Sequence, residues 1–288
     1  MSAYENYTAV SADYDRTRVP IGIEIILGCL ASEGRPLASL RLLDAGCGTG
    51  SYCAVLRRYV GAIDAVDLNP SMLDVARAKL ERTPGCPVTL HEAGIDALPF
   101  EDAYLDAVMV NQVLHHLPDS PQDGWPMLRR VLGEFARVLR PGGAAIINTC
   151  SHEQLRQGWW YTALVPGAVE AIGRRHPDTD ELTALLVEAE FSPCGRFVPT
   201  DATMQGDAYF DARGPLDPAW RRGDSLWSTV SESDLDIALD RIRALDEAGT
   251  LDAYVAEHDR MRLSVGQIGF HYLVREPTTA TANGAADA

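Results

Sequence analysis

The residues with the clearest chemistry stand close together: Asp44-Ala-Gly46-Cys-Gly48-Thr-Gly50 follows a short apolar run and precedes a helical stretch. Glycines at alternate positions let the backbone turn tightly. They also let a ligand approach main-chain N–H groups at a helix N-terminus, where side chains would collide. Some 17 residues beyond Gly50, a second apolar run ends in Val66-Asp67-Leu68-Asn69. A carboxylate placed there accepts hydrogen bonds from both hydroxyls of a ribose, a geometry that serves a dinucleotide or S-adenosylmethionine alike. A lone GxGxG also fits a plain tight turn, so its weight comes from the elements around it.

Those elements alternate. Residues 41–45 read as a buried strand, 51–59 as a helix, 61–67 as a second strand and 72–80 as an amphipathic helix opened by Pro70. Residues 88–92 and 105–110 read as strands three and four, 127–139 as a helix stopped by Pro141-Gly142-Gly143, and 144–149 as strand five. The pattern predicts an α/β fold: a Rossmann-like, doubly wound, mostly parallel sheet of seven strands, completed by 196–198 and 267–274. After strand five the spacing predicts helical insertions. These are a helix over 153–175 broken at Pro166-Gly167, another over 181–190, a surface excursion over 200–224, and helices near 232–248 and 251–263.

Composition narrows the function. With 288 residues and 46% apolar content the chain buries a substantial core, and 25 Lys plus Arg against 41 Asp plus Glu give a net charge of -16, which opposes nucleic-acid binding. The six cysteines form no CxxC pair and read as thiols of a cytoplasmic protein. The first apolar run, 21–30, carries Glu24, has no basic segment ahead of it and is too short to span a bilayer, so neither a secretory signal nor a membrane partner is expected. Residues 277–288, PTTATANGAADA, offer almost nothing to bury and read as a disordered tail.

In order and spacing, LLDAGCGTG, VDLNPSMLDVAR, DALPF, NQVLHHLPD and LRPGG resemble the class I S-adenosylmethionine-dependent methyltransferases, strongly over 41–149 and weakly beyond. The resemblance implies one domain over 1–276: a helical lid over 1–40, a cofactor-binding core over 41–149, insertions over 150–265 covering the acceptor side, and a final strand over 266–276. It implies that Gly46, Gly48 and Gly50 shape the loop around the methionine part, that Asp44 orients this loop or approaches the amino group, and that Asp67 holds the ribose. Leu68 and Met72 would flank the adenine. The family often has an acidic residue where Gly94 stands, leaving Ile95 and Asp96 as substitutes. Asn111 and Gln112 would border the methionine end, His115 or His116 would face the pocket mouth with His116 as a catalytic candidate, and Tyr14 and Arg18 of the lid would touch the methionine.

The acceptor side is read from residue types. No DPPY or NPPY follows strand four, which together with the charge points to a small hydrophobic molecule. Trp159, Trp160, Tyr161, Tyr209, Phe210 and Trp220 suit an apolar or π-rich acceptor, and aromatic faces also stabilise a carbocation. Glu170, in the apolar stretch VPGAVEAIG, reads as a buried base that takes the proton from an alkylated carbon; an exposed i,i+4 pair with Arg174 is the competing assignment. Arg174, Arg175 and Arg222 suit a diphosphate, with Mg²⁺ as a possible companion. The expectation is C-methylation of an isoprenoid diphosphate, similar in residue types to the prenyl-diphosphate C-methyltransferases. The alternatives are C- or O-methylation of a quinone, polyketide or phenol, with Tyr or His acting on a hydroxyl proton, and a cofactor-binding module without catalysis.

Overall fold

The computed structural model describes residues 17–277. Its strands are β1 (Arg41–Ala45), β2 (Ala62–Asp67), β3 (Val88–Glu92), β4 (Leu105–Asn111), β5 (Leu139–Thr149), β6 (Phe191–Phe197) and β7 (Gly269–Arg275). They form one seven-stranded sheet in the order β3-β2-β1-β4-β5-β7-β6, and β7 runs antiparallel to both of its neighbours. The winding reverses between β1 and β4. A crevice therefore opens outside their carboxyl ends, where α/β sheets bind ligands.

Side chains alternate across the sheet. Leu42 and Ile63 join one core layer with α1 (Ile23–Ala31), α2 (Ser51–Leu56) and α3 (Pro70–Glu81); Leu43 and Val108 join the other with α4 (Pro126–Val138). Leu128, Val131, Leu132 and Phe135 of α4 recur at i, i+3, i+4 and i+7 and are all buried. Helix α3 starts after β2 because the Asn69 side chain accepts from Ser71 N and Pro70 occupies the first turn. This fixes the carboxylate of Asp67 at the strand end.

The acceptor half differs from the sequence expectation in three places. Strand β5 begins at Leu139, paired with Leu105, and the register shifts before Ala107 meets Ala144; Pro141-Gly142-Gly143 thus lies inside an irregular strand start. The helix expected over 153–175 is three pieces: α5 (His152–Gln157), a 3-10 turn at Trp160–Leu164 and α6 (Pro166–Gly173), followed by α7 (Thr179–Glu188). Strand β6 runs over Phe191–Phe197, more than twice the length read from the sequence. The insertions have no core of their own at their contact with the sheet: Trp160, Tyr161, Tyr209, Trp220 and Trp227 are buried in the same layer as Leu42, Ile146 and Phe270. No helix among the described residues is long and apolar enough to cross a membrane. Tyr14 and the tail beyond residue 277 lie outside the described residues.

Candidate active site

At the carboxyl ends of β1, β4 and β5 lies a cleft of about 590 Å³, walled by Arg18, Asp44, Gly48, Tyr52, Asn111 and Asn148 among others. The glycine turn is shaped by its contacts. Gly46 and Cys47 both donate their N–H to the carbonyl of Val66, at 2.8 and 2.9 Å, and tie the turn to β2. Gly46 has φ +75°, and a Cβ there would stand 2.6 Å from Val113, so this position admits only glycine. At Gly48, φ +52°, a Cβ would meet nothing within 4 Å: the backbone faces open space.

Two carboxylates flank the turn. Asp67 accepts from Gly48 N at 2.9 Å through one oxygen and from Asn69 N at 2.8 Å through the other, and burial still pushes its carboxyl up. Asp44 is buried and makes no ion pair among the described residues; its Oδ2 accepts from the Cys53 thiol at 3.1 Å. Burial, with the Asp67 charge adding to it against the thiol's donation, pushes Asp44 up to about 7.

A second cavity of about 690 Å³ adjoins the first and shares Arg18, Gln112 and Met204 with it. Three histidines line it. His115 and His116 follow β4, their rings 4.0 Å apart, and His176 follows α6 and stacks on His115 at 4.8 Å. Burial pushes His176 down to about 4 and His116 to about 3, reinforced by the other histidines and Arg175, so the rings are neutral at physiological pH. Trp159 and Tyr161 give the wall an aromatic face, and Tyr161 Oη donates to Asp224 Oδ2 at 2.6 Å.

The sequence profile of a family described as a methyltransferase domain matches residues 43–147, which supply Asp44, the glycine turn, Tyr52, Asn111 and Gln112 to the cleft. The chain is 40% identical over 191 residues to a ubiquinone biosynthesis O-methyltransferase of Methylocella silvestris, a match covering 65% of this chain and 67% of that protein. The chain is a class I S-adenosylmethionine-dependent methyltransferase. The methyltransferase is also 29% identical over 157 residues to a demethylmenaquinone methyltransferase of Lactococcus lactis, covering 52% of this chain but only 59% of that protein's length. In fold it is similar to a methyltransferase assigned to an antibiotic biosynthesis pathway in Anabaena variabilis, with a TM-score of 0.68, 21% identity, and coverage of 89% of this chain and 98% of that one.

The cleft of the methyltransferase fits its cofactor. The bare backbone at Gly48 leaves room for close approach, Asp67 keeps acceptor capacity on both oxygens, and Asp44 offers a buried carboxyl that a cation would hold in its ionised form. Asn111, Gln112 and Arg18 line the cleft, with Gln112 donating to Asn148 Oδ1 at 2.8 Å. Gly50, φ +73°, packs at the start of α2, where a Cβ would stand 3.1 Å from Ala76. Met72 and Ile95 are buried, whereas Leu68 is 46% exposed. Asp96 folds back: its Oδ1 lies 2.5 Å from where a Cβ on Gly94 would be, so its carboxyl occupies the space that a side chain at 94 would take.

The acceptor-side expectations divide. Trp159, Tyr161 and Arg222 line the second cavity. Trp160, Tyr209 and Trp220 instead belong to the core: Trp160 Nε1 donates to the Tyr209 carbonyl at 3.1 Å, and Trp220 Nε1 to the Ala208 carbonyl at 2.8 Å. Phe210 is 57% exposed, and Arg174 is exposed; neither lines the cavity. Arg175 is half-buried beside the histidines. Glu170 is corrected outright. Its side chain is 63% exposed and stands 3.9 Å from Arg156, not paired with Arg174, because Val165, Ala168, Val169 and Ile172 take the buried stripe and turn position 170 to solvent. His176, which follows Arg174 and Arg175 in the first insertion, gains a role only here: it lies more than 60 residues beyond strand four in sequence, and no local pattern joins it to His115.

Proposed function

We propose that the methyltransferase methylates the ring or enol hydroxyl of a small quinol-like or phenolic acceptor bound in the histidine-lined cavity. The observation that carries this is the cluster of neutral histidines in a cavity that adjoins the cofactor cleft, with Arg18 at the junction. S-adenosylmethionine supplies an electrophilic methyl group. The chain supplies the rest: aromatic walls at Trp159 and Tyr161 hold the ring, cationic Arg18 and Arg175 favour its ionised oxygen, and a neutral imidazole takes the proton. Holding both reactants in a water-poor site is the main catalytic task in such an in-line displacement. The names of the Methylocella relative, a ubiquinone biosynthesis O-methyltransferase, and of the Lactococcus relative, a demethylmenaquinone methyltransferase, support a quinone-related acceptor. The six cysteines, none in a disulfide, suit a cytoplasmic enzyme.

The isoprenoid diphosphate reading loses its base, since Glu170 faces solvent on the far side of α6's buried stripe. Glu170→Gln is therefore expected to leave turnover within about twofold of the parent, a surface change touching no catalytic contact. The deciding assay is transfer of labelled methyl to a panel of catechols, quinols and phenolic acids beside geranyl and farnesyl diphosphate, with and without Mg²⁺. Label on a ring hydroxyl supports the proposal. Label on a prenyl diphosphate overturns it, and no label on any acceptor despite cofactor binding leaves a cofactor-binding module.

A further inference from the structure

Among the histidines of the cavity, His176 differs in how it is held. Its Nδ1 lies 3.0 Å from the carbonyl of Ile172 in α6, and a carbonyl only accepts, so Nδ1 carries the hydrogen. The other nitrogen then bears a lone pair. His176 is only 4% exposed, its Nε2 is buried without a hydrogen-bond partner among the described residues, and the ring lines the acceptor cavity. Leaving such a nitrogen buried and unpaired is unfavourable, a cost recovered when a ligand donates to it. The backbone is fixed on both sides: His176 N donates to Gly173 O at 3.0 Å, and His176 O receives His152 Nε2 at 2.9 Å. His115 stacks on one face with the rings 15° from parallel.

From this geometry we infer that His176 Nε2 is the proton acceptor for the hydroxyl of the methyl acceptor, a catalytic role that the sequence reading gave to Glu170 or His116. This rests on the acceptor class proposed above. In the step, the acceptor's O–H bond breaks and its oxygen bonds to the methyl carbon. The carbon–sulfur bond of the sulfonium breaks with its pair remaining on sulfur, and the proton goes to Nε2. One positive charge leaves the cofactor cleft and one appears on the imidazole, so no net charge is created inside the water-poor site. The charged and titratable groups around His176 are His115 and His116 after β4, His152 of α5 and Arg175 beside it, with Tyr161, Arg222 and the Arg18–Asp224 pair, 3.8 Å apart, in the lining of the same cavity. Burial, reinforced by His152 and Arg175, keeps the ring unprotonated.

The variant to make is His176→Asn, whose amide N–H can still donate to Ile172 O but which has no basic nitrogen. With catechol as acceptor, kcat is expected to fall about a hundredfold or more while S-adenosylhomocysteine affinity stays within twofold. With 4-nitrocatechol, whose hydroxyl ionises more easily, the loss should be much smaller, a rescue that a purely structural role would not give. A loss below threefold with catechol, or equal losses with both acceptors, overturns the assignment. Independently of any variant, ¹⁵N-imidazole spectra of the S-adenosylhomocysteine complex should show His176 protonated at Nδ1, with its Nε2 resonance shifting when catechol is added; an Nε2–H tautomer overturns it too. If the unmutated enzyme methylates no ring hydroxyl in the panel, it is the acceptor class that has failed. If it does and His176→Asn remains active, only the base has been misassigned.

Discussion

Replacing Asp67 with alanine is expected to weaken S-adenosylhomocysteine binding about a hundredfold, measured by titration calorimetry, with little change in the stability of the free protein. The carboxylate is held in place by a backbone N–H on each oxygen, from Gly48 and Asn69. Hydrogen bonds to a charged group contribute about 1.5–3 kcal/mol each. Loss of two to a ribose, partly offset by water, comes to roughly 2.7 kcal/mol, the hundredfold stated. The same change frees the Gly48 N–H that shapes the turn, which adds to the effect on binding. Stability is expected to change little because Asp67 is already strained as an anion: burial raises its carboxyl despite both donors, and it lies close enough to Asp44 to disfavour that charge as well. Asp67→Asn, which keeps the shape but carries an amide, should fall between the two. A dissociation constant within threefold of the parent in Asp67→Ala would remove Asp67 from the cofactor site.

The cofactor half of this enzyme was legible because each signal is local. A tight glycine turn, a strand ending in Asp67 and a Pro70 helix start lie within about 30 residues, and the structure places all of them at one crevice. The acceptor half is built from residues far apart in sequence. Of three adjacent aromatics, Trp159 reaches the cavity wall while Trp160 enters the core, because a 3-10 turn begins between them, and nothing in the sequence marks that turn. The misreading of Glu170 has another cause. Val165, Ala168, Val169 and Ile172 form an i, i+3, i+4, i+7 stripe, so helical periodicity places Glu170 outside, and the apolar composition of the stretch does not bury every residue in it. His176 gains its role from the fold, because α6 ends beside the loop after β4 and its Nδ1 is committed to Ile172 O.

The second large effect concerns pH. Asp44 sits at about 7 in the folded protein against an ordinary value of 3.8, with burial the largest cause. Between those values the folded chain holds a proton that the unfolded chain has released, so Asp44's contribution to stability is complete below about 3.8 and is lost as pH rises through about 7. A bound cation reverses the preference. If the cofactor's ammonium lies against Asp44, binding selects the ionised carboxylate and must expel whatever proton is there, about half a proton per site near pH 7 by linkage. The dissociation constant for S-adenosylhomocysteine is then expected to rise about tenfold from pH 8 to pH 6, while in Asp44→Asn it stays flat and weak across the range. Calorimetry in buffers of different ionisation heat reads the proton directly. The cavity histidines do not supply this slope, because burial holds His116 near 3 and His176 near 4, below the window. A flat profile in the parent protein, or the same slope in Asp44→Asn, would show that Asp44 faces no cation when the cofactor is bound and acts only on the glycine turn.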